Sequence, residues 1–109
     1  MELTQIVEAL LIASPDPISA KALAKCIRTA TDAESDNADE ALAAFGKVSE
    51  DEILGAIIAL NDQYVESGRA FLIAERASGW KIFTRGEFSR FARELFPGKK
   101  PQRLSAPAL

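Results

Sequence analysis

Apolar residues first recur at the spacing of a helix. Leu3, Ile6, Val7, Leu10 and Leu11 fall at i, i+3, i+4 and i+7, which places them on one buried stripe. The spacing predicts a first helix ending near Ala13. Ser14-Pro15-Asp16-Pro17 stops it, because proline lacks an amide proton and its ring clashes with the preceding turn. Ser19 is placed to cap a second helix, Ala20 to about Ala30, with Leu23 and Ile27 inward. Ser49 and Glu52 form a capping box. They open a third helix, to about Ser67, with Ile53, Leu54, Ile57, Leu60, Asn61 and Tyr64 on one broad face. Gly68 ends that helix.

The period then changes. FLIAERASGWKIFT, residues 71–84, reads as two short strands about a glycine. A loop of Ala77-Ser78-Gly79 with Gly79 at positive φ sets Glu75 opposite Lys81 and Arg76 opposite Trp80. That register gives a charge pair on one face and a cation–π pair on the other. It is preferred to a two-residue loop, whose expected cost is Arg76 set against Lys81. The hairpin is apolar on both faces, although a surface hairpin needs only one. Either Leu72-Ala74-Ile82 or Phe71-Ile73-Phe83 is expected to pack on the helices, leaving the other face to meet a protein. Trp80 is the exposed aromatic expected to anchor such a contact. A last helix from about Glu87 carries Phe88, Phe91, Ala92 and Leu95 at helical spacing and ends at Pro97-Gly98. Three helices, a two-stranded hairpin wing and a closing C-terminal helix predict an α+β domain of winged-helix type.

Residues 31–47 interrupt this order with five acids among small and polar residues. Little there can be buried, so the segment reads as a mobile, tolerated insertion. Within it, Ala38 to Phe45 is the place for a short helix that docks Leu42 and Phe45.

Composition narrows the function. The 109 residues make one domain with 48% hydrophobic content, enough for a core. No run of 18 apolar residues exists, and the start, with acids and no basic lead, reads as an amphipathic helix rather than a signal peptide. The single cysteine, Cys26, excludes an internal disulfide and is expected to be a small core residue. There is no histidine. That removes histidine-based acid–base catalysis and most zinc sites. No phosphate-binding glycine loop or metal-spaced cluster is present. Catalytic, metal and cofactor-binding residues are therefore all expected to be none. The acids at Asp39, Glu40, Glu50, Asp51 and Glu52 read as solvated charge.

Charge is distributed unevenly. Residues 1–67 hold four basic and thirteen acidic side chains, and residues 68–109 hold nine and three, which gives −9 and +6 and the net −3 of the chain. A winged helix that reads duplex DNA puts its third helix in the major groove, and phosphate contacts need Lys and Arg. Between Val48 and Gly68 there is neither, against five acids. A nucleic-acid-binding domain, regulator-like, is the second reading. It is confined to weak, salt-sensitive contact through the basic half.

Three stretches resemble one family. QIVEALLIASPDPISAKALA (residues 5–24), IAERASGWKIFT (residues 73–84) and GKKPQRLS (residues 98–105) are similar, in order, to segments of segregation and condensation protein B, ScpB. The likeness covers residues 5–27 and 48–105. It implies a non-enzymatic scaffold subunit of the bacterial SMC condensin, in the cytoplasm on the nucleoid. It also implies a homodimer formed through this domain, with the kleisin ScpA, and through it SMC, as partners. On that likeness residues 1–98 are the N-terminal winged-helix domain with the insertion at 31–47. Residues 99–109 then begin a linker towards a missing second winged helix. The insertion and Ala106-Pro107 depart from the family pattern. The candidate protein interface is Leu11, Ile12, Phe71, Ile73, Trp80 and Phe83. These lie on the hairpin and on the stretch of the first helix whose stripe is widest.

Overall fold

The computed structural model describes residues 1–32 and 40–96. Three helices form the body: α1 (Leu3–Ala13), α2 (Ala20–Ala30) and α3 (Glu50–Glu66). A 3₁₀ turn at Glu40–Phe45 leads into α3. The antiparallel strands β1 (Phe71–Arg76) and β2 (Gly79–Thr84) follow, and a short 3₁₀ turn, Gly86–Phe88, precedes α4 (Ser89–Leu95). The α+β winged-helix expectation is met. Residues 33–39 of the acidic insertion and residues 97–109, with the expected linker, lie outside the described residues.

Local chemistry sets the helix ends. The Ser19 hydroxyl accepts from the Ala22 amide at 3.0 Å. The Ser49 hydroxyl accepts from Glu52 N–H at 3.1 Å while Ser49 N–H donates to the Glu52 carboxylate at 3.0 Å. Both halves of the capping box are present, and two amides that a helix start leaves without partners are satisfied. Gly68, at φ 69°, closes α3 in the left-handed region.

The core joins all three helices to one strand. Val7 and Leu11 of α1, Leu23, Ala24 and Ile27 of α2, Ile53, Ile57, Leu60 and Tyr64 of α3, and Ile73 of β1 are buried together. Each of the larger aliphatic side chains contributes about 1.5–3 kcal/mol of transfer free energy. Phe45, at the end of the first 3₁₀ turn, packs on this cluster, so the docking expected of it is seen. Leu42 is half-buried. The Arg28 guanidinium donates to the Val48 carbonyl at 2.7 Å and ties α2 to the approach to α3.

Four expectations change. Cys26 is exposed, not core, because the buried stripe of α2 passes through Leu23, Ala24 and Ile27. Leu54 lies at the outer border of α3, 37% exposed. The closing helix does not close: no residue of α4 is buried, and Phe91 and Leu95 are two-thirds exposed.

The fourth change is the hairpin register. The loop has two residues, Ala77 and Ser78, at φ 52° and 70°, the primed-turn geometry that matches strand twist. Arg76 pairs with Gly79, Glu75 with Trp80 and Ala74 with Lys81. Neither the Glu75–Lys81 nor the Arg76–Trp80 pair forms. Nor does the Arg76–Lys81 clash expected of a two-residue loop. Gly79 is needed for a different reason. A Cβ there would sit 2.7 Å from the Ile18 nitrogen and the Pro17 carbonyl carbon. The chain at Ile18 crosses that close because Ile18 and Trp80 exchange two backbone hydrogen bonds of 3.0 and 2.8 Å. The connection between α1 and α2 thus covers part of the free edge of β2.

Candidate protein-interaction surfaces

A one-residue change of register exchanges the two faces of a strand. The inner face of the hairpin carries Phe71 and Ile73 of β1 with Trp80 and Ile82 of β2, all packed on the core. The outer face carries Leu72, Ala74 and Arg76 opposite Phe83, Lys81 and Gly79. Both groupings expected from the sequence therefore mix the faces. Arg76 makes its cation–π contact with Phe83, 5.5 Å from the ring centroid, and not with Trp80.

Of the six candidate interface residues, Leu11 and Ile73 are core residues, each 2% exposed. Phe71 and Trp80 are half-buried against that core, with the Phe71 ring 4.8 Å from Tyr64, edge to face. Trp80 is thus a cover for the domain's own core and not an outward anchor. Ile12 is 71% exposed at the end of α1. Phe83 is half-exposed on the outer face of the wing. The structure brings Phe71, Ile73 and Trp80 together, but on the inside.

Two polar side chains hold the wing and α1 in place. Asn61 of α3 donates to the Ile73 carbonyl at 2.9 Å and accepts from the Ile73 amide at 2.8 Å. Its amide stands in for a neighbouring strand at the edge of β1. The Tyr64 hydroxyl donates to the Glu8 carboxylate at 2.5 Å. Burial first, and then that bond and the Glu8 charge, hold the phenol well above its usual pKa. Asn61 was legible as an inward residue, but its partner was not, because nothing local marks Ile73.

The surface that the sequence reading missed is the outer side of α3. Leu54, Ile58 and Val65 are exposed there, within about 40° of arc at roughly 100° per residue. Asp51, Asp62 and Glu66, also exposed, border them. The signal was present in the spacing 54, 58, 65. It is masked by the stronger core stripe of the same helix. Phe91 and Leu95 of α4 are exposed, as are Phe88 before it and Phe96 after it. A further apolar patch lies on α1 at Met1, Ile6, Ala9 and Leu10. Among the described residues no group of three metal-ligating side chains occurs, and no helix is long and apolar enough to cross a membrane. These surfaces suit packing against another polypeptide.

The family model of the segregation and condensation complex subunit ScpB matches residues 5–109. The chain belongs to the ScpB family. Segregation and condensation protein B of Syntrophotalea carbinolica is 33% identical over 109 residues, all of this chain and 45% of that relative. The chain thus spans about half the length of that ScpB protein. Among solved structures, a conserved hypothetical protein from Chlorobium tepidum is 26% identical with a TM-score of 0.63, over 86% of this chain and 48% of that one. ScpB from Mycobacterium tuberculosis shares the fold at a TM-score of 0.58 and 20% identity, over 86% and 47%. A dimer of an ScpB N-terminal domain complexed with an ScpA peptide matches at a TM-score of 0.57 and 24% identity, over 90% of this chain and 92% of that chain.

Proposed function

We propose that this domain is a non-enzymatic scaffold of the bacterial SMC condensin, acting in the cytoplasm on the nucleoid. It pairs with a second copy and holds a segment of the kleisin ScpA. The observation that carries the reading is family membership over residues 5–109. Likeness across nearly the whole length of an N-terminal domain crystallised as a dimer with an ScpA peptide supports it. The chemistry agrees, because the exposed features are apolar stripes and the sequence has no histidine. Ile12 is exposed and Phe83 is half-buried on the outer face of the wing, and we assign both to contact with the kleisin segment.

The test is light scattering of the purified domain, with and without a peptide from the ScpA of the same organism, and titration calorimetry with that peptide. The expected result is a dimer that binds the peptide, with binding weakened about tenfold or more by Ile12→Asp or Phe83→Asp while circular dichroism is unchanged. A domain that stays monomeric at high micromolar concentration and takes no peptide overturns the reading.

A further inference from the structure

We infer that the outer face of the wing takes an acidic, apolar-centred segment of polypeptide, with Arg76 and Lys81 receiving its carboxylates and Phe83 its apolar side chain. The inference rests on the scaffold reading above and names the chemistry that the kleisin segment must carry where it meets the wing.

The register puts Leu72, Ala74 and Arg76 of β1 on one face with Phe83, Lys81 and Gly79 of β2, so this face holds two cations and no acid. The acid of the wing, Glu75, belongs to the other alternation, opposite Trp80. Arg85, two residues beyond Phe83, is already paired with Glu87 at 3.2 Å. Arg76 is exposed, and Lys81, Leu72 and Phe83 are half-buried. Arg76 and Lys81 are diagonal neighbours, about 7–8 Å apart at the backbone. Like charges so placed repel, and a carboxylate set between them turns that repulsion into attraction. The Arg76 guanidinium is positioned in advance. One nitrogen donates to the Glu75 carbonyl at 2.7 Å, and its central carbon lies 5.5 Å from the Phe83 ring centroid. A guanidinium has five N–H donors, so most remain for a carboxylate. The mixture of charge and apolar surface selects a polypeptide over a duplex. Two cations neutralise few phosphates, and a phosphate backbone offers Phe83 and Leu72 no apolar partner. An extended peptide offers both, because its alternate side chains recur on one side about 7 Å apart, the step from Lys81 to Phe83 along β2.

The experiment is titration calorimetry with peptides that tile the ScpA of the same organism, with circular dichroism as the check of fold. The peptide that binds is expected to carry at least two Asp or Glu beside an apolar residue. Its affinity should fall about tenfold between about 50 and 500 mM NaCl. Arg76→Glu with Lys81→Glu should weaken it about 30-fold or more. Arg90→Glu with Arg93→Glu makes the same change of net charge at exposed positions of α4 and should alter it less than about twofold. Lysine in place of the peptide's carboxylates should restore binding to the doubly reversed wing, as a merely structural role would not. A segment without acids that binds, or one whose affinity survives the reversal at Arg76 and Lys81, overturns the inference and leaves the scaffold reading intact. An equal loss in the α4 variant does the same, since the net field and not the wing then draws the peptide. Loss of duplex DNA binding on reversal of the wing, with peptide binding unchanged, gives the face to phosphates instead. A domain that binds no ScpA peptide refutes the scaffold reading and this inference with it.

Discussion

At the scale of single residues, two polar side chains decide where large pieces of the chain lie. Asn61 satisfies both backbone groups of Ile73, and so it fixes the position of β1 against α3. Asn61→Leu keeps the volume but leaves an amide and a carbonyl without partners. It should cost about 2–4 kcal/mol, read as a lower urea midpoint at unchanged slope. The Tyr64–Glu8 bond joins α3 to α1. Tyr64→Phe should cost about 1.5–3 kcal/mol near neutral pH, since the acceptor is a carboxylate. The sign of the pH dependence follows from the raised pKa of the phenol. Above about pH 10 an unfolded tyrosine loses its proton while the folded one keeps it. The unfolded state then binds fewer protons, and stability falls as pH rises. Ultraviolet titration of the single tyrosine, together with melting of the two proteins, checks this. The wild type should lose more stability than Tyr64→Phe between pH 9 and 11.

At the scale of elements, the hairpin turn holds stored strain. Ala77 and Ser78 both sit at positive φ, a region that costs a non-glycine residue on the order of 1 kcal/mol or more. Asn-Gly is the dipeptide that such a turn favours. Ala77→Asn with Ser78→Gly should raise the melting temperature by roughly 5 °C, from about 1 kcal/mol of relieved strain. A three-residue loop would gain nothing from this change, so the measurement also checks the register. The helices were legible because their signals are local: the proline pair after α1, the hydroxyl caps at Ser19 and Ser49, and Gly68 at the end of α3. The turn was not legible. Ala-Ser carries no mark of positive φ, and the glycine beside it pointed to the wrong position.

At the scale of the whole molecule, charge and apolar surface together argue against DNA reading. The outer side of α3, which enters the major groove in a DNA-reading winged helix, is here apolar and acid-bordered. Titration against duplex DNA at two salt concentrations should give no sequence preference. Any binding through the basic half should fall steeply with salt. Sub-micromolar affinity for one sequence, lost on changing Asp62 or Glu66, would reverse that conclusion.

The sequence by itself determined the order of elements, their caps and breaks, the α+β winged-helix outline of helices and one hairpin, and the family. All of these rest on contacts within a few residues or on runs of matching positions. The tertiary structure alone decided which face of the hairpin is inside. The register depends on Gly79 passing close under Pro17 and Ile18, some sixty residues earlier in the chain. It also decided that Trp80 covers the core while Phe83 faces out, and that the helical spacing of α4 serves no core of its own. Periodicity states that a stripe is apolar. Only the positions of distant neighbours state whether the stripe is filled.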